Sequence, residues 1–175
     1  MYQDGPGIEQ YSQHCQVFAI LTNTVRIENG KKYLLETLKY PERYAQCSVA
    51  MMYYLFRALE KCDCYGETEK LWENWKIMIR NHMTTCAEDP IHSRSDCHAW
   101  GALALYELPT VILGVRPAKP GYRKVEIKPH TEYISKAEGE VITPAGMIRV
   151  SWKKEQDKIN MKISVPEGME ILSEE

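Results

Sequence analysis

Apolar residues recur at helical spacing from Ser12 to Leu113, and beyond Gly114 the period drops to two. Val17, Phe18, Ile20, Leu21 and Val25 fall on one face of a helix predicted from about Ser12 to Asn29, with Asn29-Gly30 as its C-cap. A short second helix carries Tyr33, Leu34, Leu35 and Leu38 and stops before Pro41, whose ring disfavours helical backbone in the preceding residue. From Tyr44 to about Lys61 the positions Val49, Met52, Tyr53, Leu55, Phe56 and Leu59 mark a third, nearly buried helix. A fourth follows Gly66 and holds Leu71, Trp72, Trp75, Ile77, Met78 and Ile79. Short connections between successive helices predict antiparallel neighbours, an array of α-hairpins.

In the second part Val125–Ile127, Met147–Trp152 and Lys158–Val165 alternate as strands. Pro144-Ala145-Gly146, Gln156-Asp157 and Pro166-Glu167-Gly168 supply the turns. The proline-rich run Gly114–Gly121 reads as a semi-rigid connector. The fold class expected is therefore α+β in two parts, helices over 1–113 and a small antiparallel sheet or sandwich over 114–175.

Composition narrows what this pattern can do. The apolar share of 44% and charged share of 26% are those of a globular chain. A net charge of −2 provides no basic field for nucleic acid or acidic lipid, and no apolar run is long enough to span a membrane. Met1–Gly7 carries no charged-then-apolar leader pattern. Charge splits as −3 before Gly114 and +1 after it, and all six cysteines and four of five histidines precede Gly114, so the chemistry is expected in the helical part. Cys15, Cys47, Cys62, Cys64, Cys86 and Cys97 read as free thiols packed as small hydrophobes, which favours a reducing compartment such as the cytoplasm. A zinc site from Cys62, Cys64, Cys86, Cys97 and His98 is the alternative, but Cys-x-Cys is tighter than the usual chelate spacing. No metal and no cofactor is expected.

One segment, Thr84 to Trp100, interrupts the helical pattern with polar density. It gathers Glu88, Asp89, Arg94, Asp96, His92, His98 and Trp100, the residue types of a carbohydrate site. Carboxylates act as acid or base, arginine and histidine hydrogen-bond hydroxyls, and an indole stacks on a sugar face. A purely structural reading stands beside it: Ser93 or Ser95 caps a fifth helix, Asp96 favours the helix's positive end, Arg94 pairs with Glu88 or Asp89, and Trp100 is core. Glu73, in Leu71-Trp72-Glu73-Asn74-Trp75, reads as part of a solvated helix face, and Tyr53 and Tyr54 as packing residues.

Thr84-Thr85-Cys86-Ala87-Glu88, followed by Ser93-Arg94-Ser95-Asp96-Cys97-His98-Ala99-Trp100, resembles the carboxyl-terminal part of bacterial α-L-rhamnosidases, the family 78 glycoside hydrolases. Tyr11-Ser12-Gln13-His14-Cys15-Gln16, the stretch from Val111 to Tyr122, and Thr143–Gly146 with Ile148–Trp152 are similar to the same family. The resemblance implies the late helices of an (α/α)6 barrel over 1–113, then a C-terminal antiparallel β-sandwich over 114–175. It implies inverting hydrolysis of terminal rhamnose, with Glu88 as general base and His98 on the sugar; Asp96, Arg94 and Trp100 complete the expected substrate contacts. Such a barrel holds more helices than the about five counted here. The general acid, which the family carries earlier in the barrel, is therefore expected upstream of this chain. The chain is then inactive alone, its partners being a small carbohydrate and the earlier part of the barrel, and its uncovered helix flanks favour self-association. A non-catalytic carbohydrate-binding or structural piece of such an enzyme is the alternative.

Overall fold

A computed structural model of the chain describes residues 1–92, 94–156 and 158–172. Ser93 of the polar string and Asp157 of the predicted Gln156-Asp157 turn lie outside the described residues. The chain divides into two compact units, Met1–Leu103 and Ala104–Glu175.

In the first unit α1 (Gln13–Leu21) starts on Ser12, whose Oγ accepts from the Cys15 amide at 3.3 Å. The helix ends eight residues before the predicted Asn29. Thr22 turns its hydroxyl back on the Phe18 carbonyl at 2.7 Å, and Asn23 adopts a left-handed φ of 59°. Asn29-Gly30 is accordingly no C-cap but the first turns of α2 (Ile27–Lys39). Gly30 sits there because a Cβ would stand 2.7 Å from Ile20 Cγ1 and 3.0 Å from Val25 Cγ1, so only a glycine lets α2 approach this closely. The third helix is also shorter than expected: α3 (Met52–Lys61) follows a 3-10 turn at Val49–Met51. Ala45 instead pairs with Ser12 as an isolated bridge. The fourth splits at Trp72 into α4 (Thr68–Leu71) and α5 (Glu73–Arg80).

Val17, Ile20, Leu34, Leu55, Phe56 and Leu59 are fully buried between α1, α2 and α3. Phe56 meets Trp72 edge-on at 5.3 Å, and Trp72 meets Trp75 at 5.3 Å, tying α3 to α5. Two buried polar groups are satisfied together. Gln13 donates to Thr37 Oγ1 at 3.1 Å and accepts from the Cys47 amide at 3.0 Å.

The second unit opens with α6 (Ala104–Glu107) and a wide π-helical turn, Leu108–Ile112. The predicted connector is in part a strand: β1 (Val115–Pro117) pairs antiparallel with β2 (Lys124–Ile127). Gly114 makes that entry possible, with φ +88° and a backbone so close that a Cβ would lie 2.3 Å from Pro129 N. A second sheet runs β3-β4-β5, formed by β3 (Lys136–Thr143), β4 (Gly146–Glu155) and β5 (Lys158–Ser164), antiparallel throughout. The short β6 (Glu170–Ile171) joins β2 in parallel, a departure from the all-antiparallel expectation. Val115 and Val125 of one sheet share a single apolar cluster with Ile148, Val150 and Trp152 of the other.

Candidate functional site

The polar segment after α5 folds as a two-limbed loop. The Glu88 amide donates to the Ser95 carbonyl at 2.9 Å and the His98 amide to the Cys86 carbonyl at 2.7 Å. The Thr85 hydroxyl adds a bond to the Asp96 carbonyl. These cross-links set Glu88 on one limb and His98 on the other. At the base, Gly101 closes a 3-10 turn, Ala99–Gly101. A Cβ there would fall 2.9 Å from the Ala87 carbonyl oxygen and 3.1 Å from Cys86 Cβ, so the glycine lets the first limb lie against the turn. Trp75 pins the turn from α5, its indole N–H donating to the Gly101 carbonyl at 2.7 Å. In the sequence Trp75 reads only as an apolar position of the fourth helix, and Gly101 goes unremarked.

Arg94 Nη2 stands 2.5 Å from Glu88 Oε1. That hydrogen bond, with the charges of Arg94 and His98, holds the Glu88 carboxyl below the usual carboxylate range against the opposing pull of burial and Asp89. Asp89 is lowered as well, because its Oδ1 accepts from the amides of His92 at 2.6 Å and Ile91 at 2.7 Å. His98 and Trp100 meet edge to face, 5.8 Å between ring centres and 88° between planes. The indole is 73% exposed, so Trp100 is not core. Ser95 caps no helix; its hydroxyl donates to the Cys97 carbonyl at 3.2 Å. Asp96 is exposed on the second limb. Thus the loop brings together an ionised carboxylate, a guanidinium, an imidazole and an open indole face.

Glu73 is paired with Arg80 on the exposed side of α5, as its solvated-face reading requires. All six cysteines are free thiols, but Cys86 and Cys97 belong to the loop rather than to helical packing, and Cys97 is exposed. Burial pushes the Cys47 thiol up to about 12 and that of Cys64 to about 11, so neither is a thiolate at neutral pH. Among the described residues no group of three or more histidine, cysteine, aspartate or glutamate side chains is arranged to hold a metal, and no helix is long and apolar enough to cross a membrane.

Residues 114–172 match the bacterial α-L-rhamnosidase C-terminal domain family. An α-L-rhamnosidase of Alteromonas sp. (strain LOR) is 43% identical over 56 residues, which are 31% of this chain and 6% of that protein. The family 78 rhamnosidase of Bacillus sp. GL1 superposes over 94% of this chain with a TM-score of 0.77 and 30% identity. The α-L-rhamnosidase from Dictyoglumus thermophilum superposes over 91% with a TM-score of 0.78, at 22% identity. This chain spans 20% of each of those two solved chains.

Proposed function

We propose, for a chain similar to the carboxyl-terminal portion of bacterial α-L-rhamnosidases, that Glu88 is the general base in the inverting hydrolysis of terminal α-L-rhamnosides. The helical unit then forms the late hairpins of an (α/α)6 barrel, and the two sheets after Gly114 form its β-sandwich. The observation that carries the reading is the ion pair between Glu88 and Arg94, which keeps Glu88 ionised within a loop stapled across to His98. An inverting hydrolase needs a carboxylate to take a proton from the attacking water, and a second carboxyl group about 6.5–9.5 Å away, still protonated, to give one to the leaving oxygen. His98 and the exposed Trp100 are suited to bind and stack on the sugar, with Arg94 and Asp96 at the rim.

Asp89, the sequence neighbour of Glu88, does not suit the acid's part. Its two amide donors favour the charged form, whereas a general acid requires a raised pKa. On this reading the acid belongs to the earlier part of such a barrel, and the chain by itself is expected to turn nothing over. Exposed aromatic side chains at Phe18, Tyr53 and Tyr54, with Phe18 and Tyr54 ring centres 5.3 Å apart, are consistent with further helices covering α1 and α3.

A chimera in which this chain replaces the matching carboxyl-terminal fifth of the Bacillus enzyme tests the assignment. It should hydrolyse an aryl α-L-rhamnoside, and Glu88→Gln should lower kcat about 10²–10⁴-fold, the usual worth of a general base. Normal turnover by Glu88→Gln would dismiss Glu88 as the base. The open indole face of Trp100 favours a second reading, sugar binding without catalysis. In that case rhamnose binds the chain saturably, Glu88→Gln leaves binding intact and His98→Ala weakens it.

A further inference from the structure

Trp75 lies on α5 with only 7% of its surface exposed. Its ring meets Trp72 at 5.3 Å and Phe56 at 6.5 Å, an aromatic cluster that a phenylalanine at this position could also join. What the indole adds is one donor, and a buried N–H left without an acceptor is costly. That N–H reaches out of the cluster to the loop and donates to the Gly101 carbonyl at 2.7 Å.

From Gly101 the hydrogen bonds run on through the backbone to the candidate site. The Gly101 amide donates to the His98 carbonyl at 2.8 Å, and the His98 amide to the Cys86 carbonyl at 2.7 Å. The same turn, Ala99–Gly101, carries Trp100. Both rings suited to a sugar therefore hang on a turn whose last residue Trp75 holds. We propose, resting on the reading of His98 and Trp100 as sugar-binding residues, that Trp75 is a positioning residue of the site. Through Gly101 it sets where the imidazole and the open indole stand, and with that how tightly the sugar is held.

The carboxylate is held from elsewhere. Glu88 is fixed nearer the tip of the loop, by its amide bond to the Ser95 carbonyl and by Arg94. Asn81, just past α5, ties the loop separately, donating to the Pro90 carbonyl at 3.4 Å. Losing the Trp75 donor thus loosens the binding groups and leaves the base anchored. Its effect falls on KM, which follows binding of the ground state, rather than on kcat.

Amide hydrogen exchange by NMR on the whole chain reads this positioning without any turnover. Trp75→Phe keeps a ring in the cluster and deletes the donor. It should speed exchange at the Gly101 and His98 amides roughly three- to tenfold, while the Glu88 amide changes less than about twofold. Ile20→Val, which trims the fully buried packing of α1, is the control and should not single out those two amides. An unchanged rate at His98, or acceleration spread evenly over the helical unit, overturns the proposal. In the unaltered chain the Trp75 indole proton should open together with the two amides, and independent opening overturns it even if the variant fails to fold. In the Bacillus chimera, Trp75→Phe should raise KM for the aryl α-L-rhamnoside roughly three- to tenfold with kcat within about twofold; an unchanged KM overturns it as well. A chimera that is inactive, or in which Glu88→Gln turns over normally, counts against the reading of the site instead, and the exchange rates then decide on Trp75 alone.

Discussion

The Glu88–Arg94 pair joins two exposed limbs of a loop, and its energetic worth is modest because water screens both partners. Its chemical consequence is larger, since it fixes one carboxylate oxygen and the charge state of the other. Glu88's folded pKa lies below the ordinary value, so its contribution to stability is present above the ordinary carboxylate range and is lost as pH falls through the lowered value. Arg94→Gln should return the Glu88 carboxyl toward its ordinary pKa. Titration of the side-chain ¹³C carboxyl resonance by NMR checks this, and an unchanged midpoint would mean that Arg94 does not govern the group. The residues that position the loop are of another kind. Trp75 and Gly101 touch no candidate ligand, yet one pins the base turn and the other lets Ala87 pack against it. In the sequence they are indistinguishable from an ordinary core tryptophan and an ordinary glycine, because their role is a backbone approach that only the fold creates.

At the level of elements, the close approach of α2 to α1 depends on one missing methyl group. Gly30→Ala gains about 1 kcal/mol of helix propensity but forces a Cβ against the fully buried Ile20, an overpacking cost of about 1–3 kcal/mol. The expected outcome is a lower urea midpoint, with net destabilisation of up to about 2 kcal/mol; a raised midpoint would show that α2 simply shifts away. The same glycine explains where the periodicity misled. Asn-Gly is a common helix ending, and the helical spacing of apolar residues carries through the Thr22-Asn23-Thr24 turn, so the sequence sets the boundary between the two helices at Asn29-Gly30 instead of at that turn. Strands β4 and β5 were legible because their alternation is strong, whereas β3, Lys-Ala-Glu-Gly-Glu-Val-Ile-Thr, has small or polar residues at most positions. β1 and β6 are too short to establish a period and exist by pairing with β2.

For the molecule as a whole, the change of period near Gly114 separated a helical from a strand-rich part, and the structure contains both kinds of element in that order. The candidate site was legible as a string of residue types, because the chemistry of Thr84–Trp100 is local in sequence. Its pairings were not, since the alternatives for Arg94 were equal until the loop cross-links brought it to Glu88. The proposed role of Glu88 is to activate the attacking water. In the Bacillus chimera, Glu88→Ala removes the base while leaving room for a small anion that needs no deprotonation. Adding sodium azide and following aryl α-L-rhamnoside cleavage should restore turnover and yield the glycosyl azide of inverted configuration. Turnover that azide does not restore, in a folded chimera whose parent is active, would contradict Glu88 as the base.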